Sequence, residues 1–149
     1  MIEALIALGI AVTIIAAIAN IVVTSLNNTS FSKNENLATI YAQQGMESVR
    51  KLINSSYIAF KKNYTASSYC LDQNNNLIVK STNCNNIKTG IYIREVSFDQ
   101  NSPDCQVSLK TVVSVSWSDS KCTDRFNLYC HSVTLSSCFV DKNEVPSPI

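Results

Sequence analysis

From Ala4 to Leu26 the chain runs for 23 residues without a formal charge, and its only polar side chains there are Thr13, Asn20, Thr24 and Ser25. At about 1.5 Å per residue, a helix of that length spans a hydrocarbon core of about 30 Å. Glu3 stands at its head, and the next charge, Lys33, lies 30 positions further on. A cleavable signal peptide has a basic front and a shorter apolar centre. Here the front is acidic and no Lys or Arg precedes position 33, so any leader is expected to have been removed already. The segment reads as a membrane-seeking element. A carboxylate at the margin of lipid is tolerated when it is paired, and the α-amino group of a neighbouring copy is the natural counter-ion for Glu3.

The other residues suit one modest domain. The sequence has 149 residues, 46% hydrophobic and 15% charged, with a net charge of +1. Its Lys and Arg are spread along the chain, so no basic stripe points to nucleic acid. Six cysteines, Cys70, Cys84, Cys105, Cys122, Cys130 and Cys138, all lie in the last 80 residues. No two have the close spacing of a metal knuckle, and His131 is the only histidine. The set therefore reads as a disulfide framework formed in an oxidising compartment, with no metal site expected.

Beyond the apolar run the helical pattern continues with a changed character. On a helical wheel Leu37, Ala38, Tyr41, Ala42, Gly45, Val49, Leu52 and Ile53 share one arc, and Thr39, Gln43, Glu47, Arg50 and Asn54 lie opposite. Glu47 is spaced to pair with Arg50 or Lys51 on a solvated face. Residues 1 to about 53 thus predict a nearly continuous helix of roughly 80 Å. In the stretch "SLNNTSFSKNEN", Ser, Thr and Asn compete for backbone hydrogen bonds, so a bend or unwound turn is expected there.

Residues 54–89 are rich in Asn, Ser, Thr and Lys and predict a long loop with one minor strand near Leu77–Val79. A bridge from Cys70 to Cys84 would staple that loop. "GIYIREVSF", Gly90 to Phe98, predicts a strand whose apolar parity switches near Glu95, as at a bulge. "VSLKTVVSVSW" is the clearest strand, with Val107, Leu109, Thr111, Val113, Val115 and Trp117 alternating against more polar neighbours. A third strand is expected from about Arg125 to Phe139. Folding these two strands about "SDSKCTD" brings Cys105 towards Cys138 and leaves Cys122 with Cys130, although four cysteines allow three connectivities. A sheet apolar on one side needs a single lid, and the amphipathic helix supplies it. The tail "DKNEVPSPI" has little to bury.

No enzyme signature appears. The three glycines, Gly9, Gly45 and Gly90, form no phosphate loop, and there is no G-x-S-x-G elbow. His131 reads as a structural or surface residue. Asp99, Asp104, Asp119 and Asp124 flank turns, too widely spaced for a calcium loop. Asn27, Asn28, Asn54 and Asn63 each begin an N-x-S/T tripeptide, which permits glycosylation in a secreted chain.

"IEALIALGIAVTIIAAIAN" resembles the N-terminal segment of type IV pilins and the related pseudopilins, whose mature chains begin with a Phe-Thr-Leu-Ile-Glu type motif and continue in a long apolar run. "LATIYAQQGMESVRKL" is similar to the continuation of that helix in several bacterial pilins, where an Ala-x-x-x-Ala-Gln-x-x-x-Glu pattern is common. The resemblance covers the first 53 residues, about a third of the chain. In the family the acid is the fifth residue of the mature chain, whereas here it is the third, so two residues are expected to be missing from the front or the terminus is shorter. Asn20 stands where the family usually has a helix-loosening Pro.

The resemblance implies an α+β fold in four parts: a protruding apolar helix over 1–28, an amphipathic helix over 29–54 packed on the head, a cystine-stapled loop over 55–89, and an antiparallel sheet with the C-terminal region over 90–149. It implies a structural subunit, held in the inner membrane by lipid after a prepilin peptidase removes a short basic leader. An assembly machinery would then polymerise it into an extracellular filament of many copies. Leu5, Ile6, Leu8, Ile10, Val12, Ile14, Ile15, Ile18, Ile21 and Val22 would form the filament core, and Glu3 would neutralise the amine of an adjacent subunit. A minor pilin or pseudopilin of a secretion or DNA-uptake machine is the alternative within the family. A membrane-anchored adhesin or binding module is the alternative outside it. No cofactor and no catalytic residue is expected.

Overall fold

The computed structural model describes residues 2–65, 67–85, 87, 89–100, 102–105, 109–119, 121–122 and 129–140. They belong to two compact units, 1–36 and 37–149. Helix α1, Ile2–Ser55, contributes residues to both. The unwound turn expected in "SLNNTSFSKNEN" is absent, since every residue of that stretch is helical. The Thr29 hydroxyl bonds inside the helix without displacing its backbone bonds, donating to the Ser25 carbonyl at 2.9 Å.

In the second unit α1 buries one face, made of Ala38, Ala42, Gly45, Met46, Val49 and Ile53. This is the arc the wheel predicts, with Met46 added and with Leu37, Tyr41 and Leu52 only half-buried. The Glu47 carboxylate pairs with Arg50 at 3.1 Å on the exposed side.

The long loop expected over 54–89 contains more structure than its composition suggests. After Ser55 a second helix, α2, runs Tyr57–Asn63, with the Ser56 hydroxyl accepting from the Ala59 N–H as an N-cap and with Lys61 and Lys62 at the negative end of its dipole. Two strands follow, β1 (Ser68–Leu71) and β2 (Leu77–Val79). Only β2 was legible from composition. The 4-residue β1 is too short to display a period, and its place in the sheet comes from long-range pairing. Then come β3 (Tyr92–Asp99), β4 (Leu109–Trp117) and β5 (His131–Phe139). Tyr129 and Cys130 lie outside any strand, so β5 begins at His131 rather than near Arg125. Val107, Ser108, Asp124, Arg125 and the tail from Asp141 lie outside the described residues.

The five strands form one antiparallel sheet in the order β2-β1-β3-β4-β5. β3 and β4 pair in unbroken register from Tyr92↔Trp117 to Asp99↔Lys110, so the bulge expected near Glu95 does not occur in this pairing. The parity switch has another cause, because the sheet is covered on both faces along part of β3. Tyr92, Arg94, Val96 and Phe98 are buried at alternate positions. Ile93, on the opposite face, packs with Cys70 and Cys84, flanked by Ile87 and Tyr129. The stapled loop therefore makes a small second core.

The main core is the sheet face carrying Leu71, Val96, Leu109, Val113, Val115 and Trp117, all buried. At Gly45 α1 approaches it closely, since a Cβ there would lie 2.7 Å from Leu71 Cδ1 and 3.1 Å from Val113 Cγ1. Tyr41 meets Tyr92 edge-on at 5.2 Å. At the other end Phe60 of α2 meets Phe98 edge-on at 5.1 Å and stacks on Tyr64. Gly45→Leu is expected to lift the helix from the sheet and destabilise the head by about 2 kcal/mol or more. Gly45→Ala should change stability much less, because the helix-propensity gain of about 1 kcal/mol offsets part of the crowding. Thermal unfolding of the two variants tests the ordering.

Three disulfides join Cys70–Cys84, Cys105–Cys138 and Cys122–Cys130. The observed architecture is thus α+β: a long N-terminal helix, a small antiparallel sheet and three cystines.

Candidate functional site

The first unit, taken by itself, is a helix with no apolar interior. Thirteen large apolar side chains from Ile2 to Leu26 are between 50% and 76% exposed, including Leu5, Ile6, Leu8, Ile10, Val12, Ile14, Ile15, Ile18, Ile21 and Val22. Sequence reasoning placed these ten together; Ile2, Val23 and Leu26 extend the set. An 18-residue window within α1 has a mean hydropathy of 2.7 and no buried residue. By length and composition this helix can cross a membrane.

Two threonine hydroxyls inside the run bond to their own helix. Thr13 Oγ1 donates to the Ile10 carbonyl at 2.8 Å, and Thr24 Oγ1 donates to the Asn20 carbonyl at 2.9 Å. Each hydroxyl thus spends its proton within its own helix, which apolar surroundings demand. Asn20, Thr24, Asn28 and Ser32, spaced four apart, line one shallow groove along the helix. Glu3 lies in the first turn, where the positive end of the helix dipole favours an acid.

A second group of chemically capable residues lies at the end of the β4–β5 hairpin. His131 opens β5 and is paired in register with Trp117. Its ring stacks on the indole at 5.3 Å between centroids. Its Nε2 is 3.1 Å from Asp119 Oδ2, and both side chains are about four-fifths covered, at 20% and 19% exposure. Cys122 and Cys130 lie beside them, and one ligand atom from each of the four residues falls within 4.8 Å of the others. By sequence alone His131 reads as a structural or surface residue. The usable signal was that it follows Cys130 directly while Asp119 precedes Cys122 by three positions, so any bridge between the two cysteines brings all four together.

Burial pushes the Asp119 carboxyl up, but the Lys121 backbone N–H, the bond from His131 and the charges of His131 and Lys121 outweigh it and hold Asp119 below its usual range. Among the described residues, the other acid held low is Asp72, in the β1–β2 turn. The Asn76 side chain and backbone N–H donate to it at 2.9 and 2.8 Å. These bonds, aided by the Asn74 N–H and the charge of Arg94, overcome the upward push of burial.

Arg94 supports this turn from beneath. It is 1% exposed, donates to Asn75 Oδ1 at 2.7 Å and to the Asp72 carbonyl, and lies 5.6 Å from the centre of the Tyr41 ring. Asn75 takes the left-handed conformation, φ 64°, that Asn tolerates in such a turn.

Because Asp72 and Asp119 are held low in the folded chain, the unfolded chain takes up protons first as the pH falls. Their stabilisation is fully present above the ordinary Asp value near 3.8 and is lost as the pH drops through the lower folded values. The thermal midpoint is therefore expected to fall on acidification below about pH 4.5. Asp72→Asn and Asp119→Asn should each flatten that fall, which melts recorded between pH 3 and 7 would show.

Comparison with family models found no match, and comparisons with curated proteins and with solved structures found none either.

Proposed function

We propose that this chain is a pilin-type structural subunit, held in a membrane by residues 1–28 and polymerised through them into an extracellular filament. One observation carries the reading: thirteen large apolar side chains are exposed on a single helix whose one charge before Lys33 is the acid at its first turn. At about 1.5 kcal/mol or more per side chain, leaving that surface in water costs about 20 kcal/mol. Lipid covers it in the monomer. Neighbouring copies of the same helix cover it in a filament.

Glu3 makes the change from one cover to the other selective. An unpaired carboxylate at the margin of the hydrocarbon region costs several kcal/mol. An adjacent subunit whose α-amino group meets Glu3 removes that cost in one register only, and that register sets the stagger between copies. The resemblance of the first 53 residues to type IV pilins and pseudopilins supports the same assignment, as does an amphipathic helix seated on a cystine-stapled antiparallel sheet. Prepilin peptidase processing and a dedicated assembly machinery belong to this reading.

The second reading, a binding head on a single membrane anchor, draws on the same apolar helix. It assigns no role to Glu3. Glu3→Gln separates the two. For a filament subunit, filaments sheared from cells should fall at least about tenfold while the membrane-held chain remains at its original level. Unchanged surface display with the neutral amide would favour the anchored module. Electron microscopy of the sheared material, with quantification of this polypeptide in it, also separates a major subunit from a minor one.

A further inference from the structure

The cluster of Asp119, Cys122, Cys130 and His131 has a composition that disulfide formation does not explain. A cystine needs neither an imidazole nor a carboxylate beside it. Here Asp119 Oδ1 lies 3.9 Å from Cys122 Sγ, Asp119 Oδ2 lies 3.1 Å from His131 Nε2, and the Asp119 N–H donates to Cys122 Sγ at 3.5 Å. Two sulfurs, one imidazole and one carboxylate form the donor set of a tetrahedral site for a borderline-soft divalent ion. With bonds of about 2.0 to 2.3 Å, ligand atoms around such an ion stand roughly 3.3 to 3.8 Å apart. Ligand atoms already within 4.8 Å of one another therefore need shifts of only about 1 Å.

We propose that Cys122–Cys130 is a reducible cystine, and that its reduced form, with His131 and Asp119, binds one zinc ion. A dithiol reductant supplies two electrons and two protons: the Cys122–Cys130 sulfur–sulfur bond breaks, two thiols form, and the reductant leaves as its own disulfide. The divalent ion then displaces both thiol protons to solvent and forms a bond to each sulfur. A lone pair on His131 Nε2 and one on an Asp119 carboxylate oxygen complete four-coordination. Trp117, stacked on the imidazole, holds that ring in place.

Three features bear on this cystine. Cys70 and Cys84 are 1% and 0% exposed, whereas Cys130, like Cys138, is open to solvent. Among the described residues, this is the cystine with an imidazole and a carboxylate within ligand distance of its sulfurs. The metal also draws the exchange forward by binding only the reduced form. The site then works as a switch between a covalent clasp and a metal clasp at the same end of the hairpin, independently of whether the chain forms filaments.

The test uses the full chain in non-ionic detergent, treated under argon with a trialkylphosphine, which ends as its oxide with oxygen from water. Cobalt(II) replaces zinc as the probe. One equivalent of phosphine should open Cys122 and Cys130, as read by alkylation and peptide mass. Cobalt should then bind one per chain, with a thiolate charge-transfer band and tetrahedral visible bands, and excess zinc should bleach both. Cys122→Ser with Cys130→Ser should abolish the charge-transfer band. His131→Gln and Asp119→Asn, which retain the disulfide for folding, should each weaken binding at least about tenfold. Preferential opening of another cystine, a cobalt spectrum lacking thiolate bands, or unchanged affinity in His131→Gln and Asp119→Asn would each overturn the proposal.

Discussion

A chain beginning at Thr29 is expected to be monomeric in buffer without detergent, while the full-length chain partitions into membranes or detergent micelles. The expectation rests on the separation of the two surfaces along α1. Ala38, Ala42, Gly45, Met46, Val49 and Ile53 are buried within the second unit, which has its own core. The apolar residues from Ile2 to Leu26 are exposed instead. Removing them takes away about 20 kcal/mol of unfavourable hydration and none of the buried face. Membrane flotation and light scattering of the two chains provide the measurement. If the shortened chain still floated with membranes, the head itself would have to bind lipid. If the full-length chain stayed monodisperse without detergent, the apolar residues would have found cover that the structure does not provide.

Trp117→Ala should produce the largest loss of stability from a single side-chain change in the head. Trp117 is 1% exposed at the end of β4, with Tyr92 at 6.2 Å between ring centroids and His131 stacked at 5.3 Å. Truncating a buried Trp costs about 3 to 5 kcal/mol, against about 5 to 15 kcal/mol of total stability for a domain. With about 4 °C per kcal/mol for a domain of this size, the thermal midpoint should fall by about 10 °C or more. Trp117→Phe keeps an aromatic surface for Tyr92 and His131 and should lose less than half as much. A fall of under 5 °C for the alanine variant, by circular dichroism or calorimetry, would show that the hairpin end is not part of the cooperative core. Loss of the indole also frees the His131 ring, so the acid dependence assigned to Asp119 should weaken in the same variant.

Legibility in the sequence followed the range of the interaction involved. The alternation from Leu109 to Trp117 was readable because burial on one face of a strand imposes a period of two. The arc of α1 was readable because burial on one face of a helix imposes its own. Met46 escaped the arc because it sits at the margin, where a flexible side chain reaches the core from an angle a rigid one cannot use. Strand β1 escaped altogether, since "SYCL" offers three buried residues in four and no alternation. Its partners are β2 and β3, and Cys70 pairs with Ile78 on one side and Glu95 on the other.

The cystines show both sides of the same point. The structure joins Cys105–Cys138 and Cys122–Cys130, the pairs that a hairpin about "SDSKCTD" brings together, and Cys70–Cys84 across the preceding loop, because strand topology limits which sulfurs meet. Strand topology does not reveal the other groups at the hairpin end. A histidine without a motif and an aspartate in a turn carry a signal only through the neighbouring cysteines, once those are known to be bridged. They come within 3.1 Å only because β4 and β5 are aligned with Trp117 opposite His131.

The residues alone thus dictated the long helix and the strands with clear alternation, and that the stretch before Lys33 is long and apolar enough to cross a membrane. Uncharged length and short-range period are properties of the chain before it folds. Tertiary structure alone decided that Arg94 would be buried beneath the Asp72–Asn76 turn, that β1 would lie between β2 and β3, and that Asp119, Cys122, Cys130 and His131 would converge. Each of these depends on which distant segments become neighbours, and that is settled by the joint packing of α1 and the sheet rather than by any local preference.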